Sequence, residues 1–230
     1  FLDAPTLPEQ HIPDRQLAVT VARRLGKKFI LPGMTCQNIK QDGTRCGAPL
    51  DPEGHHGATC LCGGAAIKRH DGLRDIVTTR LPQHLGASCH CEQHERTLAR
   101  VNGEARLDVA VTLPGTPTTY LDVTVIDAMS NNMALEMARA RKPGLAAETS
   151  ENNKRTTYGS TPRMAPFVIE ANGRLGAAAA KWLRTAYRSQ HDKRRELMRE
   201  MSAHLHSHTA TMILTSATPR RTLPAPAVPA

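Results

Sequence analysis

Two short stretches decide the fold: Arg106-Leu-Asp-Val-Ala-Val111 and Leu121-Asp-Val-Thr-Val-Ile126. Each stretch alternates in polarity and is rich in β-branched residues, which is typical of half-buried strands. The Pro114-Gly115 step between them predicts a turn, so we expect the two strands to pair. Each strand contains one aspartate among apolar residues, Asp108 or Asp122, and a carboxylate in such surroundings needs a cation. The two carboxylates could share a divalent metal; the alternative is that both face water at strand ends or cap the loop.

The composition limits the class of protein. The 230 residues suffice for one large domain, and with aromatic residues at only 3% the core must be built from aliphatic side chains and methionine. A formal charge of +9 favours a polyanionic partner such as nucleic acid. No stretch approaches the ~18 apolar residues of a membrane span, and no signal peptide is recognisable. The chain begins at Phe1 rather than Met, so we expect a longer parent protein.

A loop rich in cysteine and histidine follows the first predicted helix. The segment 36–60 is dominated by Gly and Pro and predicts no regular element, so we expect a metal to hold it together. The alternative is a set of free thiols, but the clustering of Cys with His favours zinc. His55 and Cys62 remain alternatives to His56 and Cys60 in the predicted ligand set. Those predicted zinc ligands are Cys36, Cys46, His56 and Cys60.

The remaining periodicity predicts an alternation of helices and strands. Together with the strand pair, it indicates a mixed α/β fold with a central sheet flanked by helices and a small zinc-stapled loop region near the N-terminus. Helices are predicted at 14–25, 65–81, 130–142 and 176–206, a helix or turn at 145–158, and further strands at 87–92 and 164–170.

Four regions are predicted along the chain. An N-terminal helix and linker occupy 1–33, the Cys/His knuckle 34–64, and the α/β domain 65–206. The tail 207–230 is rich in Thr, Pro and Ala, which predicts disorder.

Four charged residues are expected near the predicted sheet: Glu92, Asp108, Asp122 and Lys154, with Glu95 as an alternative to Glu92. Three carboxylates and an ammonium would be a poor structural core but suit phosphodiester hydrolysis. Two aspartates can hold Mg²⁺, which acidifies a bound water and neutralises charge on the scissile phosphate. A lysine would stabilise the developing charge. Arg69 and His70 are candidates for DNA contacts, and a solvated helix face explains them equally well.

Several motifs together resemble the C-terminal part of non-LTR retrotransposon reverse-transcriptase proteins, over most of residues 14–185. The specific part of this pattern is the knuckle in combination with the Asp-Val-Thr-Val block. The motifs are Arg24-Leu-Gly26, Cys46-Gly-x-Pro-Leu-Asp-x-x-Gly-x-His56-x3-Cys60, Arg69-His-Asp71, Arg106-Leu-Asp-Val109, Leu121-Asp-Val-Thr-Val125, Lys154-x3-Tyr158 and Pro166-Phe-Val-Ile-Glu170.

This resemblance implies a restriction-endonuclease-like PD-(D/E)xK core behind a zinc knuckle. It also implies that the parent protein nicks DNA and leaves a 3′-hydroxyl for reverse transcription, with the polymerase upstream of Phe1. DNA is then the expected partner, the element's RNA a second candidate, magnesium and zinc the cofactors, and the nucleus the expected location.

The chain departs from the superfamily pattern at Thr124, where a lysine normally follows the second carboxylate by two residues. Lys154 is the candidate replacement, supplied by a neighbouring helix. Two alternatives therefore stay open: a nucleic-acid-binding module that descends from such a nuclease but is catalytically inactive, and a zinc-stapled interaction domain.

Overall fold

One mixed sheet organises the part of the chain that the computed structural model describes, namely residues 5, 7–100, 103–129, 133–158 and 163–218, without the side chains of 92–100, 103–106 and 133. Its strand order is β1-β2-β3-β4; the first three strands are antiparallel, and β4 runs parallel to β3. The predicted mixed sheet flanked by helices is therefore confirmed. The strands are β1 (Ser88–Arg100), β2 (Gly103–Thr112), β3 (Thr119–Ile126) and β4 (Met164–Glu170).

Helices cover both faces of this sheet. Short 3₁₀ turns at Pro8–Gln10 and Cys62–Gly64 supplement the α-helices. The α-helices within the described residues are α1 (Asp14–Arg24), α2 (His55–Thr59), α3 (Ala65–Leu85), α4 (Met133–Arg141), α5 (Leu145–Tyr158), α6 (Ala177–Ala186) and α7 (His191–Ala217).

The alternation of β3 divides its side chains between two cores. Leu121 and Val123 point into the main core, where α3, α6 and α7 pack on the sheet. Tyr120, from the other set of positions, packs with Ala110 and with Tyr158 of α5. Asp122 belongs to this second set, so the fold directs it towards the α5 side of the sheet.

Helix α3 is longer than predicted. Pro82 disfavours continuation, yet it lies inside the helix, which runs on to Leu85. Leu81 is fully buried in the main core, and this packing outweighs the lost backbone bond. The helix ends instead at Gly86, whose positive φ of 63° suits a glycine and whose N–H donates to the carbonyl of Pro82.

The single long helix predicted for 176–206 is wrong, because the chain breaks between α6 and α7. Tyr187 lies at the break and is completely buried, with its hydroxyl 3.1 Å from Nδ1 of His84. Helix α6 packs along β4, whereas α7 packs along α3, so one straight helix could not serve both partners.

The prediction of disorder from residue 207 is also wrong for its first part, since α7 continues to Ala217. Thr211 and Thr215 donate their hydroxyls to carbonyls four residues earlier, so their side chains bond within the helix. Ala210 and Ile213 join the same apolar cluster as Val19 of α1 and the Cys/His segment. That tertiary contact decides the conformation. Residues 219–230 lie outside the described part of the chain.

Candidate active site and metal cluster

The two strand aspartates face each other where β2 and β3 separate. The last paired residues are Val109 and Leu121, so Asp108 and Asp122 occupy the next opposing positions. There the side chain of Asp108 replaces a backbone acceptor: its Oδ2 accepts a hydrogen bond of 2.7 Å from the N–H of Val123. We call this point, with Asp108 and Asp122, the aspartate fork. It places the two carboxylates on one side of the sheet, as the sequence predicted.

Lys154 of α5 binds the second carboxylate. Its Nζ lies 2.9 Å from Oδ1 and 2.8 Å from Oδ2 of Asp122. The side chain of Asp122 is 7% exposed and that of Lys154 is 26% exposed, so the pair lies at the wall of the sheet rather than in open solvent. Burial raises the pKa of Asp122, and the lysine charge offsets part of this effect. The structure thus brings the predicted lysine to the predicted acid.

His70 of α3 completes the constellation and was not part of the predicted catalytic set. Its Nε2 lies 3.2 Å from Oδ2 of Asp108, and its Nδ1 lies 3.1 Å from Oδ1 of Asp71. The hydrogen bond to Asp108, helped by Asp71 and opposed by burial, raises the pKa of His70 to about 9. Burial opposes ionisation of Asp108, but the contact with His70 holds the pKa of this carboxyl below its ordinary value.

The third predicted carboxylate, Glu92, has a defined backbone position only. Its neighbours Cys91 and Gln93 pair with Val109 and Leu107, so the backbone of Glu92 lies opposite Asp108. The side chains of Glu92 and Glu95 lie outside the described residues.

The four predicted metal ligands lie together. One ligand atom each from Cys36, Cys46, His56 and Cys60 falls within 4.8 Å of the others. The sulphur of Cys60 is 3.7 Å from that of Cys36 and 3.9 Å from that of Cys46, and Nε2 of His56 is 3.5 Å from the sulphur of Cys46. The segment therefore contains a Cys₃His cluster that could hold a zinc ion.

Local turns prepare this cluster. Bridges between Thr35 and Pro49 and between Ile39 and Arg45 fold the segment into a hairpin that presents Cys36 and Cys46. Asp51 then caps α2 by accepting the N–H groups of His55 (2.6 Å) and His56 (2.8 Å). This cap fixes the start of the short helix that carries His56.

The two alternative zinc ligands, His55 and Cys62, lie outside the Cys₃His cluster. His55 points away from the cluster, with its Nδ1 3.8 Å from Oδ2 of Asp127. Cys62 is half-buried, and burial together with the charge of Cys60 raises its thiol pKa to about 11. Neither belongs to the group of four.

Arg69 is not a candidate for DNA contact. It is 6% exposed, and its Nη1 donates to the carbonyl of Ala58 and to the hydroxyl of Thr209, both at 3.1 Å. Burial lowers its pKa to about 10. Arg69 therefore joins α3 to α2 and α7, and the prediction that it faces a solvated surface or DNA is wrong.

The helical stripe of α3 holds a signal that could have identified His70. Leu73, Val77 and Leu81 are its buried core positions. One turn earlier, the same stripe passes through His70, which predicts that this side chain faces the sheet.

Searches with models of known families and among curated proteins found no match to the chain. Among the described helices, none is both long and apolar enough to cross a membrane.

Proposed function

We propose that this protein is a Mg²⁺-dependent DNA endonuclease domain with a structural zinc site. The observation that supports it best is the convergence of Asp108, Asp122 and Lys154 at the fork between β2 and β3. These groups come from three elements of a chain whose formal charge is +9. Such a charge attracts phosphodiester backbones from a distance.

The donor atoms suit magnesium. Asp108 and Asp122 offer carboxylate oxygens, which Mg²⁺ prefers, and Asp108 still has one oxygen besides the one that binds Val123 and His70. When bound, the ion would supply an acidified water and neutralise charge on the phosphate. The two aspartates would hold it, with Glu92 as a further ligand candidate from the register of β1.

The chain's own cations have distinct tasks in this proposal. Lys154 lies against Asp122 and would stabilise negative charge on a phosphate brought to that carboxylate. It takes the place of the lysine that is missing at Thr124. His70 orients Asp108 by donating to it while Asp71 holds the opposite ring nitrogen, so the carboxylate keeps one direction.

Zinc is the ion we propose for the Cys₃His cluster. In a tetrahedron with Zn–S bonds of about 2.3 Å, neighbouring sulphur atoms lie about 3.8 Å apart. The sulphur separations of 3.7 and 3.9 Å match that edge length. The spacing of the sulphur atoms and the Cys₃His ligand set are therefore both compatible with zinc.

In its biological context, we place the domain in a retroelement protein. The proposed reaction nicks target DNA and leaves a 3′-hydroxyl for an upstream reverse transcriptase of the same parent chain. DNA is the proposed substrate, the element's RNA a second proposed partner, and the nucleus the proposed location. The support is the set of motifs described above.

A plasmid-nicking assay tests the activity. Asp108→Asn, Asp122→Asn and Lys154→Met should each lower the Mg²⁺-dependent nicking rate, by on the order of 10²-fold or more. Asp192→Asn is the matched control, because that aspartate is 98% exposed and belongs to α7, which supplies none of the fork residues. Nicking that is equal in all four variants and the unaltered protein would reject the site.

The contact between Lys154 and Asp122 also favours a second candidate function. An amine that already neutralises Asp122 leaves less charge for a metal, which suits a nucleic-acid-binding module without catalysis. Tight DNA binding by the unaltered protein, with no nicking in Mg²⁺ or Mn²⁺, would establish that alternative.

A further inference from the structure

A second site lies at the far end of the parallel strand pair, away from the aspartate fork. A cavity of about 550 Å³ opens where β3 and β4 end, between α1 and α7. In α/β sheets, ligands commonly bind beyond the carboxyl ends of parallel strands. A volume of this size accommodates a nucleotide-sized ligand.

The charges around this cavity are mainly positive. Of the described residues that line it, Arg23, Arg24 and Arg174 are cationic, whereas Asp127 alone is acidic. Asp127 is already engaged by Arg23 and lies 3.8 Å from Nδ1 of His55. Asp127 therefore offsets the charge of Arg23. Glu170 lies 3.6 Å from Arg174 and offsets part of a second guanidinium charge. Guanidinium groups match phosphate oxygens in pairs.

The interior wall of the cavity also contains an unused donor. Arg23 is 9% exposed, and its Nε has no hydrogen-bond partner among the described residues. A buried donor without an acceptor costs free energy, but protein encloses this atom, so an anion in the cavity reaches it only if the Arg23 side chain turns.

Arg24 and Arg174 extend from opposite sides. Arg24, at the end of α1, donates to the carbonyl of Asn172, and Arg174 follows the turn after β4. Arg174 is 50% exposed, and its Nε lies 3.6 Å from Oε2 of Glu170, too far for a tight ion pair. A ligand phosphate would therefore compete with Glu170, whose side chain is 2% exposed, for Arg174, and with the carbonyl of Asn172 for Arg24.

We propose that this cavity is a phosphate-binding pocket, distinct from the aspartate fork. It takes a phosphate group either from the nucleic-acid backbone or from a free phosphate-bearing molecule. Asp127 lies five residues after Asp122, one residue beyond the end of β3, which corresponds to about 17 Å of extended backbone. A duplex covers that distance in about five base-pair steps. Binding of a backbone phosphate rests on the proposed function, whereas binding of a free phosphate-bearing molecule does not.

The test compares Arg24→Ala/Arg174→Ala and Arg174→Ala alone with Arg15→Ala. Arg15 is an exposed arginine on the same helix α1 and does not line the cavity, so it controls for lost charge. Thermal unfolding is measured in inorganic phosphate and in chloride at equal ionic strength. Binding of a fluorescein-labelled DNA duplex is measured by anisotropy over a range of salt concentrations. The single variant keeps the test valid should the double variant fold poorly.

We expect phosphate to raise the melting temperature of the unaltered protein and of Arg15→Ala, but not that of either pocket variant. It should also raise the melting temperature of Asp122→Asn, which alters only the aspartate fork. For a backbone phosphate, the slope of log K against log salt becomes shallower by about 1 in the pocket variants. Loss of the phosphate effect with an unchanged slope assigns the pocket to a free ligand. Pocket variants that match Arg15→Ala in both assays overturn the proposal. Absence of nicking leaves the phosphate result untouched, so the two proposals fail separately.

Discussion

Replacing Lys154 with methionine isolates the electrostatics of the aspartate fork. The substitution keeps the length and most of the apolar surface of the side chain but removes the charge that lies 2.8 Å from Asp122. Breaking a buried pair by removing one partner costs about 3–5 kcal/mol. Because the Lys154 side chain is 26% exposed, water compensates part of the loss, and we expect the lower end, about 3 kcal/mol.

Urea unfolding followed by the fluorescence of Trp182 measures this change. Trp182 is the single tryptophan, and its ring centroid lies 6.3 Å from that of Phe167, which pairs with Val123 in the sheet. The emission therefore reports on the sheet that contains Asp122. The measurement uses zinc-loaded protein in chelator-free buffer, so that the Cys₃His cluster stays intact.

Two comparisons give the prediction its controls. Lys142→Met removes a lysine that pairs with Glu148 on the surface, where both side chains are about half exposed, and should cost less than about 1 kcal/mol. Adding Asp122→Asn to Lys154→Met removes the orphaned charge and should restore stability to within about 1 kcal/mol. Added Mg²⁺ should stabilise Lys154→Met but not that double variant. Equal costs for Lys142→Met and Lys154→Met would refute the reasoning.

Three further predictions concern groups outside the fork. Burial lowers the pKa of His206 to about 3, so the unfolded chain takes up a proton that the folded chain does not as pH falls below about 6.5. Relative to His206→Gln, the unaltered protein should therefore lose about 2 kcal/mol between pH 7.5 and 5.0 in urea unfolding. Metal analysis should find about one zinc per chain, and none in Cys46→Ser/Cys60→Ser, whose α7 end should exchange amide hydrogens faster. In Gly57→Ala, the new Cβ would lie 2.6 Å from Oγ of Ser216, and unfolding should become easier by about 2 kcal/mol; an unchanged urea midpoint would contradict this close approach of α2 to α7.

Local patterns sufficed for much of the fold because the relevant signals are short-range. Helix α5 and strand β4 have the predicted limits, Leu145–Tyr158 and Met164–Glu170, since turn and proline signals bound both. The pairing of β2 with β3 followed from one Pro-Gly turn. The Cys₃His set followed from the density of Cys and His in a segment for which no regular element is predicted.

Long-range contacts account for what local patterns missed. The composition of 207–217 masks a helical spacing of apolar residues at Ala210, Ile213 and Leu214, and the surface that these residues pack against comes from the first 62 residues of the chain. Asp127 resembled an ordinary residue at the end of a strand, yet it binds Arg23 and lies beside His55. The contacts of Arg69 with Thr209 and of Asp127 with Arg23 could not be predicted, because each joins residues that are more than 100 positions apart.

The packing of Gly57 against the last turns of α7 has a practical consequence for truncation. An expression boundary at residue 206, which composition alone would recommend, removes Ala210 and Ile213 from the cluster around Cys36 and Cys60. The shortened polypeptide would keep every metal ligand and every acidic residue of the fork. Its cysteine-rich segment, however, would lose the apolar surface of α7 against which it packs. Poor solubility of such a fragment would then reflect the cut and not the chemistry of either site.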